Sequence, residues 1–161
     1  MLKIGEYVVY KRDVCVVKDI MENYYKDKDY YYLLPVNDKK LKVMLPTDNM
    51  SGLRPLMSRE DIKALIHRIP GIETLKVRQR YLENDYKALM DGDQPDDLVK
   101  IIKTAYVRNM ARIKNKKKLT ASDEHYFEVA EKCLYTEIGV VLSMTFEETK
   151  AFVKEKVEML A

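Results

Sequence analysis

Cysteine and histidine each occur twice in 161 residues, and tryptophan does not occur at all. Cys15 and Cys133 stand far apart, no Cys-x-x-Cys spacing exists, and only His67 and His125 could join them, so no zinc or redox motif can be assembled. A disulfide between the two is disfavoured in a reducing compartment, and buried free thiols are the expectation. Neither histidine has a serine, cysteine or carboxylate partner at a motif spacing, which removes the usual nucleophilic constellations and leaves both as surface residues.

Long apolar runs are equally scarce. Val140-Val-Leu142 is far shorter than the roughly 18 residues of a membrane span. Met1-Leu-Lys-Ile-Gly5 has no signal-peptide core. Together these point to a cytosolic protein with no cofactor and no metal.

What is present changes character near Leu56. With 47% apolar residues, the chain suffices for one ordinary domain or two small ones, each with a limited core. Tyr7-Val-Val-Tyr10 and Val14 to Ile20 are dense in β-branched and aromatic residues around the polar turn Lys11-Arg-Asp13. Met21 to Asp29 follows, and its charged centre Lys26-Asp-Lys-Asp29 reads as a turn before the strand Tyr30 to Leu34. Leu41, Val43 and Leu45 alternate with Lys42 and Met44 to give a strand ended by Pro46, and Gly52-Leu-Arg-Pro55 supplies a last extended piece. Five short strands with tight turns suit a small Tudor-like or SH3-like β-barrel.

After Ser58 the periodicity becomes helical. Ser58 with Asp61 opens a first helix carrying Ile62, Leu65 and Ile66, ending before Pro70-Gly71. A second is expected from Glu73 or Thr74, with Leu75, Leu82, Tyr86 and Leu89 inward, until Asp91-Gly-Asp93 stops it. Pro95 begins a third, Thr120-Ala-Ser-Asp123 caps a fourth, and Thr145-Phe-Glu-Glu148 is a capping box for a fifth. The fold class is therefore α+β, a small Tudor/SH3-like β-barrel over 1–57 followed by an all-α domain of about five helices over 58–161.

Charge is unevenly spread. Residues 76 to 118 carry 12 basic and 6 acidic groups, whereas residues 119 to 161 carry 4 and 9. Arg108, Arg112, Lys114, Lys116, Lys117 and Lys118 form a run without an acid, and Lys76, Arg78 and Arg80 make a second cluster. Such runs are often solvated loops. If two helical hairpins bring these groups onto one face, they form a phosphate-binding surface whose affinity falls steeply with salt. No recognition-helix motif is present, so binding that ignores base sequence is the better reading.

The tyrosines at 24, 25, 30, 31 and 32 have two readings. Alternate rings fill the small core while the others cover its rim, or an exposed aromatic strand docks a protein partner by strand addition. Base readout is disfavoured, because no Asn, Gln or Arg lies among them in a reading arrangement.

Several segments resemble a known family. Ile4-Gly-Glu-Tyr-Val-Val-Tyr10, Leu41-Lys-Val-Met-Leu-Pro-Thr-Asp-Asn49 and Gly52-Leu-Arg-Pro-Leu56 resemble the RNA polymerase-interacting domain shared by CarD/CdnL transcription regulators and the transcription-repair coupling factor. Arg80-Tyr81 through Asp91-Gly-Asp93 and Lys118-Leu-Thr-Ala-Ser-Asp123 resemble the helical domain of CarD-like proteins. The resemblance implies a bacterial regulator that is not an enzyme, is cytoplasmic and nucleoid-associated through polymerase, and is a monomer. Its barrel pairs with the β subunit of RNA polymerase, which places docking residues at Glu22, Asn23, Tyr24, Tyr25, Lys42 and Met44. Its helical domain touches promoter DNA and modulates open-complex stability, with Lys76, Arg78, Arg80 and the run from Arg108 to Lys118 as the DNA-contacting groups. Many family members carry a tryptophan wedge at the start of the second helix; here Arg78 occupies or adjoins that position. Arginine enters a narrow minor groove electrostatically but cannot hold an unstacked step open. The alternative is a protein-interaction module without a DNA role.

Overall fold

A computed structural model of the chain describes residues 1–76, 78–92 and 94–160, with the backbone alone at 160. Asp93 of the expected helix stop lies outside the described residues. The chain divides into two compact units, Met1–Leu56 and Met57–Ala161.

The first unit is an antiparallel sheet of five strands: β1 (Tyr7–Tyr10), β2 (Asp13–Tyr25), β3 (Lys28–Pro35), β4 (Val43–Pro46) and β5 (Leu53–Arg54), in the order β4-β3-β2-β1-β5. Its two ends are β4 and β5. These are not paired with each other, so the sheet is not closed into the expected barrel. Val8, Cys15, Val17, Tyr31 and Leu33 form the core, and partly buried Val43, Leu45 and Leu53 pack on it. Burial of Tyr31 is compatible with its hydroxyl because that oxygen accepts from the Leu2 amide at 3.1 Å.

The turns account for the register. Lys11 and Arg12 have φ of 46° and 79°, and Lys26 and Asp27 have 51° and 58°. Two successive positive φ values match the right-handed twist of a two-residue hairpin. β2 runs on to Tyr25, beyond the expected Val14 to Ile20, and the turn expected at Lys26 to Asp29 tightens to Lys26-Asp27. Two bulges fit the longer strand to its partner. Lys18 is extra between the pairs Val17↔Leu33 and Asp19↔Tyr32, and Glu22, Asn23 and Tyr24 together oppose Asp29. Asn23 has φ 48° and donates its amide to Asp29 Oδ1 at 3.0 Å.

The second unit holds α1 (Arg59–Arg68), a 3-10 turn (Ile69–Gly71), α2 (Gln79–Asp91), α3 (Pro95–Lys114), α4 (Ala121–Leu142) and α5 (Phe146–Leu160). Ile62, Leu65, Leu82, Ile101, Leu134 and Ile138 lie at its buried centre. Ser58 and Asp61 make the reciprocal capping box of α1, Thr120 caps α4, and Thr145 with Glu148 caps α5. Met57, the first residue of the unit, donates its amide to Oε2 of buried Glu137 at 2.8 Å.

One helix bound differs from expectation. α2 begins at Gln79, not near Glu73, because the Leu75 amide donates to the Thr104 hydroxyl at 2.8 Å instead of entering a helical ladder. Lys103 Nζ fastens the same stretch by donating to the carbonyls of Ile69 and Ile72 at 2.8 and 2.5 Å. α3 continues through Lys114, so the first half of the basic run is helical. Cys15 is buried and Cys133 partly buried, both as free thiols.

Candidate protein and nucleic-acid interfaces

On the sheet, alternation sends Tyr31, Leu33 and Leu45 into the core and leaves Tyr30, Tyr32 and Met44 on the other face. Tyr32 pairs with Met44 and Tyr30 with Pro46. Tyr24, on the bulge, packs against Tyr30 with ring centroids 5.3 Å apart, and Lys42 Nζ lies 5.6 Å from the Tyr32 ring centroid. Of the expected residues, Tyr24, Lys42 and Met44 are thus joined by Tyr30 and Tyr32 into one aromatic patch beside the edge strand β4. Tyr24 and Tyr25 are 51% and 56% exposed. Tyr31 fills the core, and its neighbours form an outer surface. Glu22 and Asn23 project from the bulge, where the extra residues re-aim side chains that a regular strand would alternate. Met21, which pairs with Tyr30, also belongs here, although the sequence reading assigned it to no strand.

On the helical unit, the N-terminus of α2 meets the last turns of α3. Arg108 donates from Nη2 to Gln79 Oε1 and from Nε to both carboxylate oxygens of Asp123, at 3.2 and 3.1 Å. Asp123 is buried and also accepts from the Tyr86 and Thr120 hydroxyls at 2.8 Å each. Burial, then the bond to Asp123, raises the Tyr86 pKa. Gln79, Arg108, Ala111, Arg112, Asn115 and Lys117 line a groove of about 240 Å3. This groove brings the cluster around Arg78 and Arg80 beside the one around Arg112 and Lys117.

The expected cations differ in what they touch. Arg108 is committed to Asp123 and Gln79, so its charge is already balanced within the fold. Arg78 is exposed and sits at the N-cap of α2, where no side chain caps the helix and the first turn carries no acid. Arg80 follows with its guanidinium 4.8 Å from the ring centroid of exposed Tyr81. Lys76 is exposed on the segment before α2. Arg112 donates from Nη1 to the Lys118 carbonyl at 3.4 Å, and its own carbonyl accepts from the Lys117 amide at 2.8 Å. Lys116 turns the chain there with φ 54°. Lys114, two residues beyond Arg112 on a helix, points to the opposite side of α3 and does not line the groove.

Gln79, Tyr81 and Asn115 were missed by sequence reasoning. Tyr81 carried a signal, an aromatic next to a basic residue at a helix start; Gln79 and Asn115 carried none. No cluster of three or more His, Cys, Asp or Glu that could hold a metal exists among the described residues. No helix among them is long and apolar enough to cross a membrane.

Residues 2–57 match the family of CarD-like/TRCF RID domains. Over 159 residues, 94% of this chain and 99% of the relative, the sequence is 26% identical to YdeB of Bacillus subtilis (strain 168), named as a candidate transcription factor. The matched segment covers all five strands and their aromatic edge, and the relative extends the likeness through the helices. The chain is a CarD-like family member, with its CarD-like/TRCF RID domain at residues 2–57.

Proposed function

We propose that the protein is a transcription regulator that docks on the β subunit of RNA polymerase through the sheet and contacts promoter DNA through the helical unit, modulating the stability of the open complex. The observation that carries this reading is the RID-domain match across residues 2–57. The edge strand β4 supports it physically, since an unpaired edge accepts a further strand while side chains on its outer face select the partner. Met44 and Lys42 on that edge, with Glu22, Asn23, Tyr24 and Tyr25 beside it, are the proposed polymerase contacts.

DNA contact rests on exposed Lys76, Arg78, Arg80, Lys116, Lys117 and Lys118 and on half-buried Arg112, around an uncapped helix N-terminus that favours anions. Lys114 serves phosphates reached from the other side of α3. Binding is sequence-independent and weak alone, and becomes effective because polymerase docking raises the local concentration toward about millimolar. With Arg78 in place of a tryptophan wedge, the effect works through phosphates and groove potential instead of unstacking. The protein acts as a cytoplasmic monomer that reaches the nucleoid with polymerase.

The test uses the full chain. Met44→Glu with Lys42→Glu abolishes capture of the β subunit, while Arg78→Glu with Lys117→Glu leaves capture intact and removes the effect on promoter opening in transcription with purified polymerase. Unchanged promoter opening by the second variant, with capture retained, assigns the protein to interaction without a DNA role.

A further inference from the structure

The groove beside the start of α2 holds two side-chain amides, and the fold leaves them in opposite states. Asn115 donates its Nδ2 to the Ala111 carbonyl at 2.9 Å, so its carbonyl oxygen is the group chiefly left over. Gln79 is the reverse. Its Oε1 accepts from Arg108 Nη2, and a guanidinium has donors only, so the amide fits no other way round. Nε2 keeps both hydrogens for a ligand and has no partner among the described residues.

This orientation is set from the interior. Arg108 Nε bonds both carboxylate oxygens of Asp123, at 3.2 and 3.1 Å, and Asp123 is in turn held by the Tyr86 and Thr120 hydroxyls. A guanidinium is planar and rigid, so seating Nε on Asp123 also sets the direction of Nη2. A chain of contacts thus runs from a buried carboxylate to an exposed amide at the lip of the groove. Two cations share that groove. Arg112 gives Nη1 to the Lys118 carbonyl at 3.4 Å, and Lys117 Nζ has no partner among the described residues. A preset donor beside two cations suits an oxygen of an anion.

We propose that Gln79 contacts a DNA phosphate directly, donating from Nε2 to an oxygen that Arg112 and Lys117 attract, and that Arg108 is the positioning residue that aims it. This rests on the reading of the groove as a promoter-DNA surface and adds a neutral contact to a set otherwise made of cations. A neutral donor releases no counterion, so its contribution persists as salt rises, unlike that of the lysines and arginines. The tie to Arg108 also means that the rotamer freedom of Gln79 is lost on folding and not on binding.

Anisotropy titration of a labelled DNA duplex with the full chain, over a series of salt concentrations, tests this. Gln79→Met keeps the length of the side chain and removes the amide. It is expected to weaken binding about tenfold at every salt concentration, with an unchanged log-log slope. Lys117→Met makes the slope shallower by about one unit. Arg108→Lys keeps a cation for Asp123 but has no second donor arm for Gln79, so adding Gln79→Met to it brings little further loss. Gln79→Glu keeps an acceptor for Arg108 but no donor, and binds no better than Gln79→Met. Wild-type affinity in Gln79→Met or Gln79→Glu, alongside a weakened Lys117→Met, overturns this proposal and leaves the DNA reading standing. Additive losses in the double variant overturn the positioning role of Arg108. A wild type that binds no duplex at low salt removes both the proposal and the reading beneath it.

Discussion

Arg108 Nε lies 3.1 Å from Oδ2 of Asp123, whose side chain has no exposed surface, and the pair ties α3 to the first turn of α4. A buried carboxylate stripped of its cation, or a buried cation site stripped of its carboxylate, leaves an uncompensated charge. Asp123→Ala also orphans the Tyr86 and Thr120 hydroxyls. It is expected to cost about 3 kcal/mol, read as a lower midpoint in urea at unchanged slope.

Arg108 and Arg112 should separate under charge reversal. Arg108→Glu places a second carboxylate against Asp123 and lowers stability. Arg112→Glu faces the groove at the end of α3, leaves the urea midpoint nearly unchanged, and weakens DNA binding with a salt slope shallower by about one unit. Equal effects of both on DNA with no effect of either on stability would contradict the assignment of Arg108 to the fold.

The β2–β3 turn holds Lys26 and Asp27 at φ 51° and 58°. Side chains with a Cβ are disfavoured there, whereas Asn-Gly suits both positions. Lys26→Asn with Asp27→Gly is expected to raise stability by about 1 kcal/mol, measured by thermal unfolding.

A Cβ at Gly139 would lie 2.8 Å from both the Met144 carbonyl oxygen and Thr149 Oγ1. Gly139→Ala forces the turn between α4 and α5 outward and should cost about 2 kcal/mol. Its signature is loss of the Met144 amide bond to Gly139, seen as faster amide hydrogen exchange at Met144.

Asp96 accepts two bonds from Arg68, at 2.8 and 2.9 Å, which lower its pKa below the ordinary 3.8. A depressed carboxylate contributes its stability above the unfolded value and loses it as pH falls through the folded one. Both side chains are substantially exposed, 50% for Arg68 and 35% for Asp96, so solvent screening keeps the contribution small. Asp96→Asn should cost about 0.5 kcal/mol at neutral pH, and the difference from wild type should shrink as pH drops below 3.8.

Features written into neighbouring residues were legible from the sequence. The capping boxes at Ser58 and Thr145, the cap at Thr120 and the first hairpin each depend on side chains within four positions of one another. What was missed depends on partners far along the chain. α2 starts late because Thr104 takes the Leu75 amide, and β2 runs long because its bulges are measured against β3. The candidate site divides the same way. The cations at 78, 80 and 112 are visible as a pattern, but that Arg108 is spent on Asp123, and that Lys114 turns away, follows only from packing α2 and α4 against α3.

The bond from the Met57 amide to Glu137 spans 80 positions. On a ribosome adding about 5 to 20 residues per second, Met57 is made roughly 4 to 16 seconds before its partner exists. The entrance to the helical unit therefore cannot be set while the chain is only half made. Until the last turns of α4 have emerged, that amide must stay with water, and a chain released early would lack the buried group that fixes where the helices begin.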